Sequence, residues 1–252
     1  MVKEQRYEKI LKIVEEKDYV SVHELAKILY VSLPTIRRDL SELHRRELLM
    51  HCHGGAKKLN TENSVLPIKL RKSQNKKVKR LLCKKCLSLI KENSVIFVDS
   101  STTTAQICDL LQPNYSILVV TNSIILSLML TKKGIQNFCT GGILQQNSMC
   151  YAGEYAEEFI RKFNFDLAIF SSYGVNERGN IVDTSIAETS LRKTVINQSN
   201  KKVFLCDDSK FFLDASFNLT NLSSLDYIIT NYEKVNDVLP KNYNGKVFVI
   251  KN

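Results

Sequence analysis

Apolar spacing along the chain changes character once, from helical periods near the start to short β-branched runs later. Ile10, Leu11, Ile13 and Val14, following Tyr7, recur at helical spacing and predict a first amphipathic helix that ends at Asp18 and Tyr19. Ser21 then precedes Val22, Leu25, Ala26 and Leu29, an i, i+3, i+4, i+7 stripe, and Glu24 stands in capping-box position, so a short second helix follows. Beyond a break at Tyr30 and Val31, Ser32 is placed to cap a third helix with Pro34 in its first turn. Ile36, Leu40 and Leu43 share one side of that helix, whereas Pro34, Arg37, Arg38, Ser41 and Arg45 occupy the other half. Leu48 to Lys58, with Gly54-Gly55 at its centre, reads as a strand, a turn and a basic return.

Val78, Leu81, Leu82, Cys86, Leu89 and Ile90 then mark a helix whose other face is Lys-rich. After Asn93 come near-continuous apolar runs, 95–98, 117–120, 167–170, 203–206 and 227–230, alternating with helical stretches, as buried parallel strands do. The pattern predicts an α/β chain of two domains: a helical head with a wing over residues 1–58, a linker over 59–73 and an α/β body over 74–252.

Composition narrows the function. With 44% hydrophobic and 25% charged residues the chain has enough apolar surface to fold, which excludes general disorder. No apolar run is long enough to cross a bilayer, and Met1 to Arg6 opens no signal sequence, so no membrane partner and a cytoplasmic location are expected. Seven scattered cysteines suit a reducing compartment; Cys83 and Cys86 have metal-like spacing but lack a second ligand pair, so no metal or other cofactor is expected. The net charge of +10 is uneven: the excess is +3 over residues 1–60, +8 over 61–92 and −1 over 93–252. A basic first third joined to a neutral body points to a nucleic-acid-binding head on a body with another task.

Two helices joined by a short turn, the second with an Arg-rich free face, form a helix-turn-helix, which lays its second helix in the major groove of double-stranded DNA. Arg37 and Arg38 are the candidate base readers, because a guanidinium fork bonds guanine O6 and N7 together; the alternative is a pair of solvated surface charges. Ser32 and Thr35 at the helix start are placed for phosphate, Pro34 and Ser41 share the free face, Ser21 opens the preceding helix, and a wing brings His53 and Lys57 near the backbone. The +8 segment reads as a solvated helical face in preference to a DNA contact.

In an open α/β sheet, ligands bind beyond the carboxyl ends of the strands. Asp99-Ser100-Ser101-Thr102-Thr103-Thr104 follows the first run, Thr121-Asn122-Ser123 the second, and Gly141-Gly142 a strand near Phe138. Such loops offer hydroxyls, backbone amides and helix N-termini to an anion such as phosphate, although Ser and Thr also simply cap helices. Ser171 to Gly174, Glu188 with Arg192 and Lys193, and Asp207 to Lys210 add acids and cations.

The stretch Val31 to Leu40, VSLPTIRRDL, followed by His53-Gly54-Gly55-Ala56, resembles the N-terminal signature of the DeoR family of bacterial transcriptional regulators. Glu47 and His51 stand where that family usually has Gly and Arg. The body resembles the family's sensor domain at Asp99 to Thr103, Thr121, Asn122, Gly141, Gly142, Asp166, Gly174, Glu188 and Asp207 to Lys210, with Ser101 in place of a Gly and Asp208 in place of a Ser. The resemblance implies a winged helix-turn-helix joined to a body similar to ribose-5-phosphate isomerase-like folds. It further implies a regulator of sugar metabolism, a repressor released from its operator by a phosphorylated sugar. Asp99, Ser101, Thr102, Thr103, Thr121, Asn122, Gly141, Gly142, Gly174, Glu188 and Lys210 are then the effector contacts. Paired operator half-sites imply a homo-oligomer, a dimer or tetramer. The rival is an isomerase-like enzyme using Asp99, Asp207, Glu188 and Lys210 as acid, base and oxyanion stabiliser; a DNA-binding head favours sensing over turnover.

Overall fold

The computed structural model describes residues 2–17, 19–46, 48–52, 54–58, 71–72, 74–113 and 116–251, and the chain divides into two compact units, Met1–Leu70 and Arg71–Asn252. The first unit runs α1 (Lys3–Lys17), β1 (Tyr19–Ser21), α2 (Val22–Leu29), α3 (Leu33–Arg45), β2 (Met50–Cys52) and β3 (Gly55–Lys57), with the strands in antiparallel order β1-β3-β2. The first of these strands has no counterpart in the apolar pattern, because three residues are too few to display an alternation. The turn between β2 and β3 depends on its glycines. Gly54 takes a left-handed φ of +84°, and a Cβ on Gly55 would lie 2.4 Å from the Val20 carbonyl oxygen of the neighbouring strand.

Helix α2 begins as its capping box requires, with the Glu24 amide donating to Ser21 Oγ at 3.1 Å. Helix α3 does not. Ser32 makes no bond to the backbone and instead pairs with the Thr35 hydroxyl at 2.9 Å. Pro34 explains the difference: it fills one of the two positions whose amide an N-cap side chain could reach, and it has no N–H. Ile36, Leu40 and Leu43 of α3 close a core with Tyr7, Ile10 and Val14 of α1 and Val22, Leu25 and Leu29 of α2.

The second unit is built on seven parallel strands: β4 (Val95–Val98), β5 (Leu118–Thr121), β6 (Asn137–Cys139), β9 (Phe165–Phe170), β12 (Ser199–Cys206), β14 (Tyr227–Thr230) and β15 (Lys246–Val249). Their order is β15-β14-β12-β9-β4-β5-β6. Alternate residues feed two cores. Ile96, Val98, Ile169 and Leu205 pack under α4 (Lys76–Leu87), α5 (Gln106–Leu110) and α6 (Ile124–Lys132), through Leu82, Cys86, Ile107, Leu126 and Leu130. Phe97, Phe170 and Phe204 face α7 (Glu154–Ile160) and α8 (Ile186–Asn197), where Ala156, Ile160, Leu191 and Val195 meet them. A hairpin of β7 (Ile143–Gln145) and β8 (Cys150–Ala152) and an antiparallel sheet, β10 (Gly174–Val175), β11 (Asn180–Asp183) and β13 (Phe217–Asn221) in that order, complete this face.

From β4 the chain moves outward to β5 and β6, then returns to the far side of β4 as β9 and proceeds to β12, β14 and β15. The strand order therefore reverses at β4 and β9. A reversal of this kind opens a crevice beyond the carboxyl ends of the two strands, the usual ligand position in open parallel sheets.

Candidate functional site

On the first unit, α3 presents Arg37, Arg38 and Ser41 to solvent, and neither arginine side chain has a hydrogen bond or ion pair among the described residues. What holds the helix in place is a buried charge on its other side. Asp39 is 2% exposed and receives both Nε and Nη2 of Arg6 from α1. A planar fork on a carboxylate fixes orientation as well as distance, so the exposed Arg37 and Arg38 sit on a helix clamped at the residue that follows them. Arg45, on the same outer half in sequence, is occupied by Glu42 at 2.8 Å, and Glu42 also receives Arg46. These two arginines hold the Glu42 carboxyl down at about 2. Thr35 is half-buried, Pro34 and Lys57 are exposed, and Ser21 is committed to capping α2; His53 lies outside the described residues. Lys58 pairs with Glu15 at 2.5 Å.

On the second unit, the loops after β4, β9 and β12 meet. Asp99 receives the Ser101 amide at 3.1 Å and Thr104 Oγ1 at 2.7 Å on one oxygen, and the Ser171 amide at 3.3 Å and Arg192 Nε at 3.1 Å on the other. A carboxylate has about four acceptor positions. Those of Asp99 are filled by the protein, so this side chain knits the two loops of the crevice to each other. Lys210, from the 3₁₀ turn after β12, reaches into the same place and donates to Ser171 Oγ at 2.9 Å and to the Ser172 carbonyl at 2.5 Å.

Lys79 comes to this crevice from below. It lies on α4 at the buried positions shared with Leu82, Cys83 and Cys86, is 4% exposed, and donates to the Arg71 carbonyl at 2.7 Å and to Thr102 Oγ1 at 3.2 Å. Its third donor has no partner among the described residues. Burial pushes its pKa down to about 8; the nearby charges of Lys210 and Arg71 act in the same direction, and Asp207 opposes them. Asp207 accepts from Asn75 Nδ2 at 3.0 Å and from Ser209 Oγ. Two buried polar atoms in neighbouring loops have no partner among the described residues, Thr103 Oγ1 after β4 and Asn122 Oδ1 after β5. Lys79 and Lys210 thus bring two like charges, each bonded to one hydroxyl, Thr102 Oγ1 and Ser171 Oγ, to buried strand ends.

Behind the crevice lies Arg192 of α8, 5% exposed. Its three nitrogens each take a different carboxylate: Nε that of Asp99 at 3.1 Å, Nη1 that of Asp183 at 2.8 Å and Nη2 that of Glu188 at 3.0 Å. Burial lowers the pKa of this guanidinium, but the three acids outweigh it and hold the group above its ordinary value. Glu188 also accepts from Ser148 Oγ at 2.8 Å, which ties the hairpin loop to α8.

The expected effector residues thus divide. Asp99, Ser101, Thr102, Thr103 and Lys210 meet at the β4–β9 crevice, and Thr121 and Asn122 follow on the adjacent strand. Glu188 belongs to the Arg192 hub. Gly141 and Gly142 lie past β6 at the sheet edge, with positive φ of 67° and 107°. Gly174 starts β10, where a Cβ would come 2.6 Å from that of Leu213. Sequence reasoning missed Lys79, although the signal is present: a lysine that falls on the apolar stripe of its own helix. It also missed the Arg6–Asp39 clamp, which joins residues too far apart in the chain to be paired by spacing. Two shallow concavities, around Lys201 and Gly245 and around Asn93 and Gln136, lie at the opposite, amino-terminal edge of the sheet.

Comparison with known proteins finds a family match to each of the two units. A profile described as the DeoR-like helix-turn-helix domain matches residues 6–62, and one described as the DeoR C terminal sensor domain matches residues 74–232. An L-fucose operon activator of Haemophilus influenzae is 31% identical over 90% of this chain and 91% of its own length. The glycerol-3-phosphate regulon repressor of Escherichia coli is 28% identical over 92% of each chain. Among solved structures, a D-ribose-5-phosphate isomerase aligns over 54% of each chain with a TM-score of 0.40 and 18% identity. No helix among the described residues is long and apolar enough to cross a membrane, and no group of three or more His, Cys, Asp or Glu among them could hold a metal. With both units matched in chain order, the protein belongs to the DeoR family of transcriptional regulators.

Proposed function

We propose that this regulator controls a carbohydrate operon and that a phosphorylated sugar, bound at the β4–β9 crevice, sets its affinity for operator DNA. The observation that carries the reading is Lys79, a lysine 4% exposed with an unused donor, held beside Lys210 and the Thr102–Thr103 loop. The phosphate sits against Lys79, Lys210 and the loop after β4, and the sugar extends toward Thr121 and Asn122, with Gly141 and Gly142 allowing close approach at the edge. Asp99 and Glu188 act through Arg192 by holding the loops in place. That occupation also counts against turnover, because two of the three carboxylates an isomerase would draw on, Asp99 and Glu188, are spent on a structural cation. The protein works in the cytoplasm as a dimer or tetramer, since each α3 covers one half-site.

The sign is that of a repressor: the effector-free form binds operator more tightly, and the effector shifts the population toward the weak-binding form. The test is a melting screen of phosphorylated sugars followed by operator titrations with each ligand that binds. A ligand at a hundred times its Kd adds about 2.7 kcal/mol to the stability of the fold that holds it. The sensor half of the proposal fails if no phosphosugar at millimolar concentration moves either the melting point or the operator affinity. For the reading helix, Arg37→Ala or Arg38→Ala reduces discrimination between operator and mismatched duplex by about 1–3 kcal/mol. Lys57→Ala instead weakens binding to every sequence and flattens its salt dependence.

A further inference from the structure

We propose that the outer face of α4 is a second, sequence-independent DNA contact, which grips the phosphate backbone without reading bases. The inference rests on the protein being a DNA-binding regulator and adds a surface outside the helix-turn-helix.

Lys76, Arg80 and Lys84 recur at i, i+4 and i+8 on α4, with Lys77 beside them, and all four are exposed. At 100° per residue they fill a sector of about 100°, next to the arc through which Lys79, Leu82, Cys83 and Cys86 are buried. Their side chains make no ion pair or hydrogen bond with any described residue. Elsewhere in the molecule surface cations are repeatedly paired: Lys12 with Glu16, Arg45 with Glu42, Lys58 with Glu15, Arg161 with Glu157, Lys201 with Asp226. Around α4 no such pairing is available locally, because residues 71–91 contain nine Lys or Arg and no Asp or Glu.

Like charges at i, i+4 oppose helix formation, so the stripe weakens the helix that carries it unless an anionic surface faces it. From Lys76 to Lys84 it spans about 12 Å, the axial length over which one strand of a duplex presents about three to four phosphates. The basic excess of the whole chain also lies here and not in the reading head, whose own excess is only +3. Read from the sequence alone the segment passes for a solvated face; four aligned cations without a partner among the described residues, in a stretch with no acid of its own, turn the reading toward DNA.

The test compares the full chain with the triple variant Lys76→Gln/Arg80→Gln/Lys84→Gln and with a control that removes as many exposed lysines elsewhere, Lys132→Gln/Lys234→Gln/Lys241→Gln. Binding to a mixed-sequence duplex of about 40 base pairs is measured over a range of salt, and log K is plotted against log salt concentration. The stripe variant is expected to flatten the slope by about 2–3, at about 0.9 per lost phosphate contact, while its preference for a selected operator over mixed sequence is kept. The control keeps the wild-type slope. Equal slopes for wild type and stripe variant overturn the proposal, and so does an equal loss in the control, which would mean that bulk charge is all that counts. A wild-type protein with no salt-dependent DNA binding overturns both this contact and the DNA-binding reading. A melting transition of the variant that matches wild type, both without ligand and in inorganic phosphate, excludes misfolding as the source of its loss.

Discussion

Replacing Arg192 with Met is expected to cost the second unit about 3–5 kcal/mol, a large share of the roughly 5–15 kcal/mol that keeps a domain folded. Three carboxylates, Asp99, Asp183 and Glu188, converge on this one guanidinium, and their side chains are only 1%, 9% and 15% exposed. With the cation removed they face one another in a medium that screens charge poorly, and water cannot reach most of their surface. The structural consequence is as large as the energetic one. Asp99 also anchors the Ser101 and Ser171 amides, so loosening it uncouples the loops that follow β4 and β9. Arg192→Lys keeps the charge but offers no planar fork to three partners at once, and belongs between wild type and Met. Denaturant unfolding of the full chain measures the effect. The transition of the second unit should move to lower denaturant, and the first unit, whose core contains no residue of this hub, should keep its own transition. Acidification should recover part of the loss in the Met variant, since protonating a carboxylate removes an uncompensated charge. A loss under about 1 kcal/mol would mean that the acids find other partners and that the hub does not organise the crevice.

The contrast between Arg192 and Arg37 shows where sequence reading works. The place of Arg37 on the exposed face of its helix is legible because its position on the wheel and the Ser-x-Pro-Thr start of that helix are local facts, fixed within ten residues. The same holds for the strands of the second unit, whose β-branched runs are continuous because both faces are buried, and for the wing, whose Gly54-Gly55 turn admits few alternatives. Arg192 is visible only as a charge four residues after Glu188. Its other two partners arrive from residues 99 and 183, and nothing in the spacing announces them. Asp99 illustrates the same limit from the other side. Its place at a strand end marks it for the crevice, but only the count of its hydrogen bonds shows that it holds the loops together with no acceptor left over. Ser32 adds a smaller case, where a cap expected from residue type is lost because the next-but-one residue, Pro34, has no amide to offer.

The opposite pairing of effects is expected at Lys79: Lys79→Met should raise the stability of the ligand-free second unit by about 1–2 kcal/mol at pH 7 and weaken phosphorylated-ligand binding by tenfold or more. Burial pushes this lysine down to about 8 from its usual 10.5, so in the folded state its charge is a burden. The sign follows from proton counting. Below pH 8 the lysine is protonated in both folded and unfolded chains, and the cost of the buried charge is fully present. Between about 8 and 10.5 the folded state has released the proton and the unfolded state has not, so wild-type stability rises with pH across that window. Methionine removes the cost and with it this rise, at the expense of the bonds to the Arg71 carbonyl and Thr102. Binding runs the other way. A phosphate beside Lys79 and Lys210 favours the ammonium form, so above pH 8 the site must take up a proton to bind, and affinity should fall by about tenfold per pH unit there. In the Met variant that dependence disappears. Melting curves and ligand titrations at pH 7, 8.5 and 9.5 distinguish the outcomes. A variant that binds phosphosugars as tightly as wild type, with the same pH dependence, would remove Lys79 from the site. A variant that is both less stable and unable to bind would make it a structural residue, because only a group retained for its ligand weakens the fold in that ligand's absence.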